Sequence, residues 1–155
     1  MLSETDIQQI AEIDRLNMAG MMLAMGNVYR VEKRKADVLK EMERDTKFVT
    51  LIRGDNMLAY LSYRINGDEI TIKSIQLAPD ANRIILRALV AKVLLAVKNE
   101  NFIAIRSKVF ANNKSSLDFH QKLGFALKEE KDGICYFYID KEQLLHRLHN
   151  MTGNT

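Results

Sequence analysis

From Thr46 to Leu77 the residue pattern becomes strand-like in three consecutive runs, FVTLIR, MLAYLSYRI and EITIKSIQL, separated by Gly54-Asp55-Asn56 and Asn66-Gly67-Asp68. Residues of that kind supply the positive φ that tight hairpins demand, so the segment predicts three consecutive antiparallel strands. A sheet of this kind needs helices on its faces.

Helical periods flank it on both sides. Ser3 and Asp6 form an N-cap with an acidic partner, and Ile7, Ile10, Ile13 (or Ala11) and Leu16 then recur at helical spacing, which predicts a helix from about Glu4 to Asn17. The Met-rich stretch from Asn17 to Asn27, punctuated by Gly20 and Gly26, reads as a loose helix or a loop-helix. Val31, Val38, Leu39 and Met42 mark the apolar face of a second helix, and Lys33, Arg34, Lys35, Lys40 and Glu43 are expected on its solvated surface. Beyond Ala78-Pro79-Asp80, NRIILRALVAKVLLAVKNEN predicts a largely buried helix capped by Asp80 or Asn82 and ended near Asn99. A strand at about Phe102 to Phe110, a short helix stopped by Gly124, a hairpin turning at Lys131-Asp132-Gly133 and a terminal helix KEQLLHRLHN complete the chain. The expectation is a single α/β (α+β mixed-sheet) domain over residues 1–155, with its core at about 4–149 and a flexible tail at 150–155.

Composition narrows the partners. With 155 residues, 47% hydrophobic, the chain is long enough for a core and short enough for one domain. An excess of 23 Lys+Arg over 20 Asp+Glu, a formal charge of +3, suits a small anionic ligand but falls short of a nucleic-acid footprint. Cys135 is the single cysteine and has no internal disulfide partner, and no Cys/His cluster has the spacing of a metal site. A reducing, cytoplasmic home is the simplest reading. MLSETDIQQI has no cationic leader before an apolar run, and Ala88 to Val97 is interrupted by Lys92 and too short to span a bilayer, so no membrane association is expected.

The segment Asn113 to Phe125, NKSSLDFHQKLGF, in its strand-helix-strand setting, resembles the acyl-CoA-dependent N-acyltransferase (GNAT) family, and the likeness runs from about Ile7 to Ile139. The resemblance implies that Asn113 opens the helix, that Ser116 follows three positions later, and that His120 stands where the family usually carries a Tyr before Gly124-Phe125. It also implies that backbone groups at Ile75 and Leu77 pair with the pantetheine arm of acetyl-CoA, that the N–H around Leu77 receives the oxyanion, and that the helix start from Asp80 to Arg87 faces the pyrophosphate. The family's glycine-rich phosphate turn is degenerate here: aligned from Arg83, its positions become Arg83, Ile84, Ile85, Leu86, Arg87 and Ala88. Bulky residues at Ile84 and Leu86 narrow the approach without removing an N–H donor, while Arg83 and Arg87, four apart on one helix face, can offset phosphate charge or be simply solvated.

Under the resemblance, the function is transfer of an acetyl group from acetyl-CoA to an amine of a small molecule or peptide, with His120 as the acid for the leaving thiolate and no metal. A helix-surface histidine is the alternative for His120. No base is assigned, since Gln76 cannot act as one and Glu69 lies at the far end of its strand. Met18, Met21, Met22 and Met25 read as core packing or as a substrate lid. Cys135 reads as a buried hydrophobe, and His146 and His149 as surface residues. The family's first strand has no counterpart before the first helix, and an uncovered sheet edge suggests a homodimer. The competing function is a catalytically degenerate CoA-binding, regulatory or interaction module.

Overall fold

The computed structural model describes residues 2–152. Its elements are α1 (Glu4–Ala24), α2 (Val31–Glu43), β1 (Lys47–Arg53), β2 (Asn56–Asn66), β3 (Glu69–Leu77), α3 (Arg83–Val97), β4 (Ala104–Phe110), α4 (Lys114–Lys122), β5 (Ala126–Lys131), β6 (Ile134–Asp140) and α5 (Lys141–Thr152). The six strands form one mixed, mostly antiparallel sheet in the order β1-β2-β3-β4-β6-β5. β3 and β4 are the parallel pair, and their register covers Glu69↔Ala104 to Ile72↔Ser107 only.

The chain divides into two compact units, Met1–Arg64 with Ser74–Asn99, and Ile65–Lys73 with Glu100–Thr155. In the first, Ile7, Ile10 and Ile13 of α1 join Val38, Met57 and Tyr60 in one buried cluster. The expected cap of α1 is present as a reciprocal pair: Asp6 N–H donates to Ser3 Oγ at 3.0 Å and Ser3 N–H to Asp6 Oδ2 at 2.9 Å. α1 does not stop at Asn17. Ala, Met and Leu are strong helix formers and carry it through Gly20 to Ala24. There Gly26 N–H donates to Leu23 O at 3.0 Å and Asn27 N–H to Met22 O at 2.8 Å, the paired bonds that close a helix C-terminus. α3 packs against β1, and its Leu86, Leu89, Val90, Val93 and Val97 are buried.

In the second unit, β4 buries Ala104, Ile105 and Val109, and alternate residues of β6 bury Cys135, Phe137 and Ile139. The β5–β6 hairpin turns on Asp132 (φ 54°) and Gly133 (φ 77°), two consecutive positive φ values that match the twist of the flanking strands. Asp140 caps α5: Gln143 N–H donates to its Oδ1 at 2.7 Å. α5 is helical to Thr152, past the point where a tail was expected; residues 153–155 lie outside those described.

Candidate active site

The expected site residues fall into two groups, one in each unit. In the first unit, β3 ends in Ile75, Gln76 and Leu77, beyond the last pair with β4. Ala78 N–H donates to Leu58 O of β2 at 2.9 Å. Successive residues of a strand direct their backbone groups to opposite sides, so Ile75 and Leu77 direct theirs away from β2, along the free edge. The Leu77 carbonyl on that edge accepts from Asn17 Nδ2 at 2.7 Å.

After a turn closed by Ala81 N–H to Ala78 O at 2.9 Å, α3 starts at Arg83 under an Asn82 cap. Asn82 Oδ1 accepts from the N–H groups of Ile84 at 3.0 Å and Ile85 at 3.3 Å. Of the two bulky residues at this turn, Leu86 is buried in the core and Ile84 is 68% exposed. Ile85 and Arg87 are half-buried, and Arg83 and Ala88 are exposed. Arg87 Nε is buried with no hydrogen-bond partner. A free strand edge, a helix N-terminus and an orphaned guanidinium N–H fit an extended, phosphate-bearing ligand such as CoA.

The same unit holds a buried polar network that the sequence reading passed over. Asp14 of α1, 3% exposed, accepts from Tyr60 OH at 2.6 Å and from Arg34 Nε at 2.6 Å. Arg34 also reaches Tyr60 OH at 3.2 Å and Glu41 at 3.3 Å, and Tyr60 OH lies 3.0 Å from Ser74 Oγ on β3. Burial pushes the Asp14 carboxyl up from its usual range, opposed by the Arg34 charge and the Tyr60 hydrogen bond. Burial and the adjacent Asp14 charge raise Tyr60 as well, which keeps its hydroxyl protonated. Arg34 is therefore a correction to the solvated face expected of α2: its side chain is 15% exposed and ties α2 to α1.

In the second unit, Asn113 caps α4, its Oδ1 accepting from Ser116 N–H at 3.2 Å. Gly124, at φ 90°, closes the helix: its N–H donates to Gln121 O at 3.0 Å and Phe125 N–H to His120 O at 3.0 Å. His120 is 1% exposed. Its Nδ1 lies 2.7 Å from Ser116 O, an oxygen that only accepts, so Nδ1 carries the proton. Nε2 then accepts from Ser107 Oγ at 2.8 Å. The ring stacks on Phe119 and Phe137 with centroids 4.8 and 5.0 Å away and meets Phe125 edge-on at 5.0 Å. Burial lowers its pKa, against the Ser116 hydrogen bond, and favours the neutral form. Glu69 is engaged by Arg106 Nε at 2.9 Å. Among the described residues, no group of three or more His, Cys, Asp or Glu is arranged to hold a metal ion, and no helix is long and apolar enough to cross a membrane.

The mixed sheet, with its short parallel ladder and a capped helix leading from the free strand end, defines an acyl-CoA-dependent acetyltransferase type of fold. The family description "Acetyltransferase (GNAT) family" matches residues 14–125, and the chain belongs to that family. Among solved structures it is similar to PaiA N-acetyltransferase from Thermoplasma acidophilum in complex with coenzyme A (TM-score 0.71, 16% identity, 90% of this chain and 95% of that one). It is similar also to the ribosomal-protein-S18-alanine N-acetyltransferase from Escherichia coli (TM-score 0.67, 18% identity, 90% of each chain). A third similar structure is Campylobacter jejuni N-acetyltransferase PseH in complex with acetyl coenzyme A (TM-score 0.63, 13% identity, 90% of this chain and 93% of that one). No curated protein sequence matches the chain.

Proposed function

We propose that the chain transfers an acetyl group from acetyl-CoA to the amine of a small molecule or peptide. The observation that carries the reading is the end of the β3–β4 register at Ile72, which leaves the backbone groups of Ile75 and the N–H of Leu77 for a ligand, the Leu77 carbonyl being taken by Asn17. Backbone donors on that edge suit the pantetheine amides, and the Leu77 N–H suits the acyl oxygen as negative charge develops there. Arg83, Arg87 and the first turn of α3 suit the phosphates. In the reaction the amine nitrogen bonds to the acyl carbon, the C–S bond breaks with its electron pair going to sulfur, and the proton lost by the amine balances the thiolate directly or through water.

The burial and double hydrogen bonding of His120 support a structural role in place of the acid role, with Asn113 and Ser116 as its scaffold. That same observation favours a second reading, a CoA-binding module without turnover. Thermal-shift titration with acetyl-CoA and desulfo-CoA, followed by thiol release with a panel of amines, decides between them. A shift with turnover supports the first reading, a shift without turnover the second, and no shift at millimolar ligand removes both. Two further expectations travel with the proposal: a cytoplasmic home, supported by the buried free thiol of Cys135, and a homodimer, supported by β1 and β5 at the ends of the sheet order.

A further inference from the structure

The second half of α1 is an anomaly in packing. Its buried residues end at Asp14, and no residue from Arg15 to Ala24 is buried. Leu16, Leu23, Met25 and Val28 are 56%, 68%, 48% and 66% exposed. The methionines Met18, Met21 and Met22 are only half-buried, so the stripe is not the core it resembled in sequence. From Asn17 to Tyr29 there is no charged residue or histidine, in a chain with 28% charged residues; thirteen residues at that frequency would carry three or four. An exposed stretch without charge is unusual for a solvated helix.

Its first turn is nevertheless fixed to the free edge of β3. Asn17 Nδ2 donates to Leu77 O at 2.7 Å and to Gln76 Oε1 at 3.1 Å, and Gln76 Nε2 donates to Met18 Sδ at 3.3 Å. A backbone carbonyl only accepts, so the orientation of the Asn17 amide is determined: both Nδ2 hydrogens are spent on the strand. Oδ1 is the polar atom left over, and it has no partner among the described residues. The N–H and C=O of one strand residue lie on the same side, so Asn17 stands on the edge toward which Leu77 directs its N–H.

We infer that Asn17 receives the acceptor amine through Oδ1 and that the charge-free segment Asn17–Tyr29 selects amines whose neighbouring groups are uncharged and apolar. The inference rests on the acetyl-transfer reading above, in which the Leu77 N–H holds the acyl oxygen. An amine attacking that acyl group needs an acceptor for one N–H so that its lone pair is directed at the acyl carbon. A neutral amide oxygen does this without the penalty a carboxylate brings, since an adjacent negative charge stabilises ammonium and withholds the nucleophile. Met21 lies one helical turn beyond Asn17 on the same face. Thioethers there give an adaptable surface for an aliphatic substituent and nothing to pair with a second ammonium, a phosphate or a carboxylate.

The test uses the full chain and two probe sets, L-methioninamide and L-leucinamide against spermidine and glucosamine 6-phosphate, read by thiol release at saturating acetyl-CoA. Wild type should favour the first set at least tenfold in kcat/KM. Asn17→Ala should lower kcat/KM for methioninamide at least tenfold while the acetyl-CoA thermal shift and KM stay within twofold of wild type. Met21→Glu should shift the preference at least fivefold toward spermidine, and it reads selectivity even if Asn17 variants fold poorly. Preference for spermidine or the sugar phosphate in wild type overturns the inference. So does a methioninamide kcat/KM within twofold of wild type in Asn17→Ala, or a loss confined to acetyl-CoA binding, which would make Asn17 a strand clamp only. Wild type that shows no acetyl-CoA shift sinks the transfer reading itself, and this inference with it, a result distinct from all of these.

Discussion

Replacing Arg34 with Met tests whether the network in the first unit is a buried ion pair or an incidental contact. The substitution keeps the aliphatic stem and removes the guanidinium, which in the native protein lies 2.6 Å from Asp14 and 3.3 Å from Glu41. Asp14 is 3% exposed, so its carboxylate would be left with the Tyr60 hydroxyl alone. Removing one member of a buried pair costs about 3–5 kcal/mol, a large share of the roughly 5–15 kcal/mol that stabilises a domain. At about 2–4 °C per kcal/mol for a chain of this size, the melting temperature should fall by on the order of 10 °C. Urea denaturation followed by far-UV circular dichroism at pH 7.5 measures the loss. The pH dependence supplies an independent check. Asp14 has a folded pKa above its unfolded value, so its contribution to stability is full below the unfolded pKa and is lost as pH rises through the folded one. Without Arg34 that folded pKa rises further, and the gap between variant and wild type should narrow as pH falls toward 5. A loss below about 1 kcal/mol, or a gap that does not change with pH, would refute the buried-pair account.

Asn113 to Phe125 makes a second prediction. His120→Ala removes a ring held by two hydrogen bonds and three aromatic contacts, and it should cost about 3 kcal/mol in urea denaturation while turnover per folded molecule changes less than threefold; a hundredfold fall in turnover would restore the acid role. Because the folded pKa of His120 is depressed, wild-type stability should be full above the unfolded value near 6.5 and decline as pH falls through the folded pKa, a slope that His120→Ala should reduce. At the other end of the site, Arg83→Ala and Arg87→Ala should each weaken acetyl-CoA binding, by about three- to tenfold at low ionic strength and less in 0.5 M salt; calorimetric titration showing a salt-independent affinity would rule out phosphate contact.

Most of the fold was legible because local rules and tertiary demands agreed. The capping pair Ser3 and Asp6, the turn at Asp132-Gly133 and the stop at Gly124 each combine a residue type with a backbone geometry that few other residues accept. The misreadings share a different cause. Asp14 and Arg34 are twenty residues apart on separate helices; the periods put Asp14 four after Ile10 and Arg34 four before Val38, on the two apolar faces, yet a charge there reads as solvated until the partner that neutralises it is in place. The Met-rich half of α1 misled in the opposite direction: its composition is that of a core, yet the helix runs on after its buried residues end at Asp14. His120 sits at the motif position that invites a chemical role, and the orientation of its ring, toward Ser107 and three phenylalanines, supports the packing role proposed for it above.

The Asn82 cap carries a consequence for how this protein handles its ligand. Its Oδ1 already sits on the N–H groups of Ile84 and Ile85, so an anion arriving at α3 meets a helix that holds its own competitor. Binding there is an exchange of one oxygen for another, and a side-chain cap of this kind is worth about 1 kcal/mol, roughly fivefold in a dissociation constant. The helix keeps its first turn ordered without a ligand, and under the acetyl-transfer reading proposed above it would hold the phosphates that much less tightly, which suits a co-substrate that must leave as a product after every turnover.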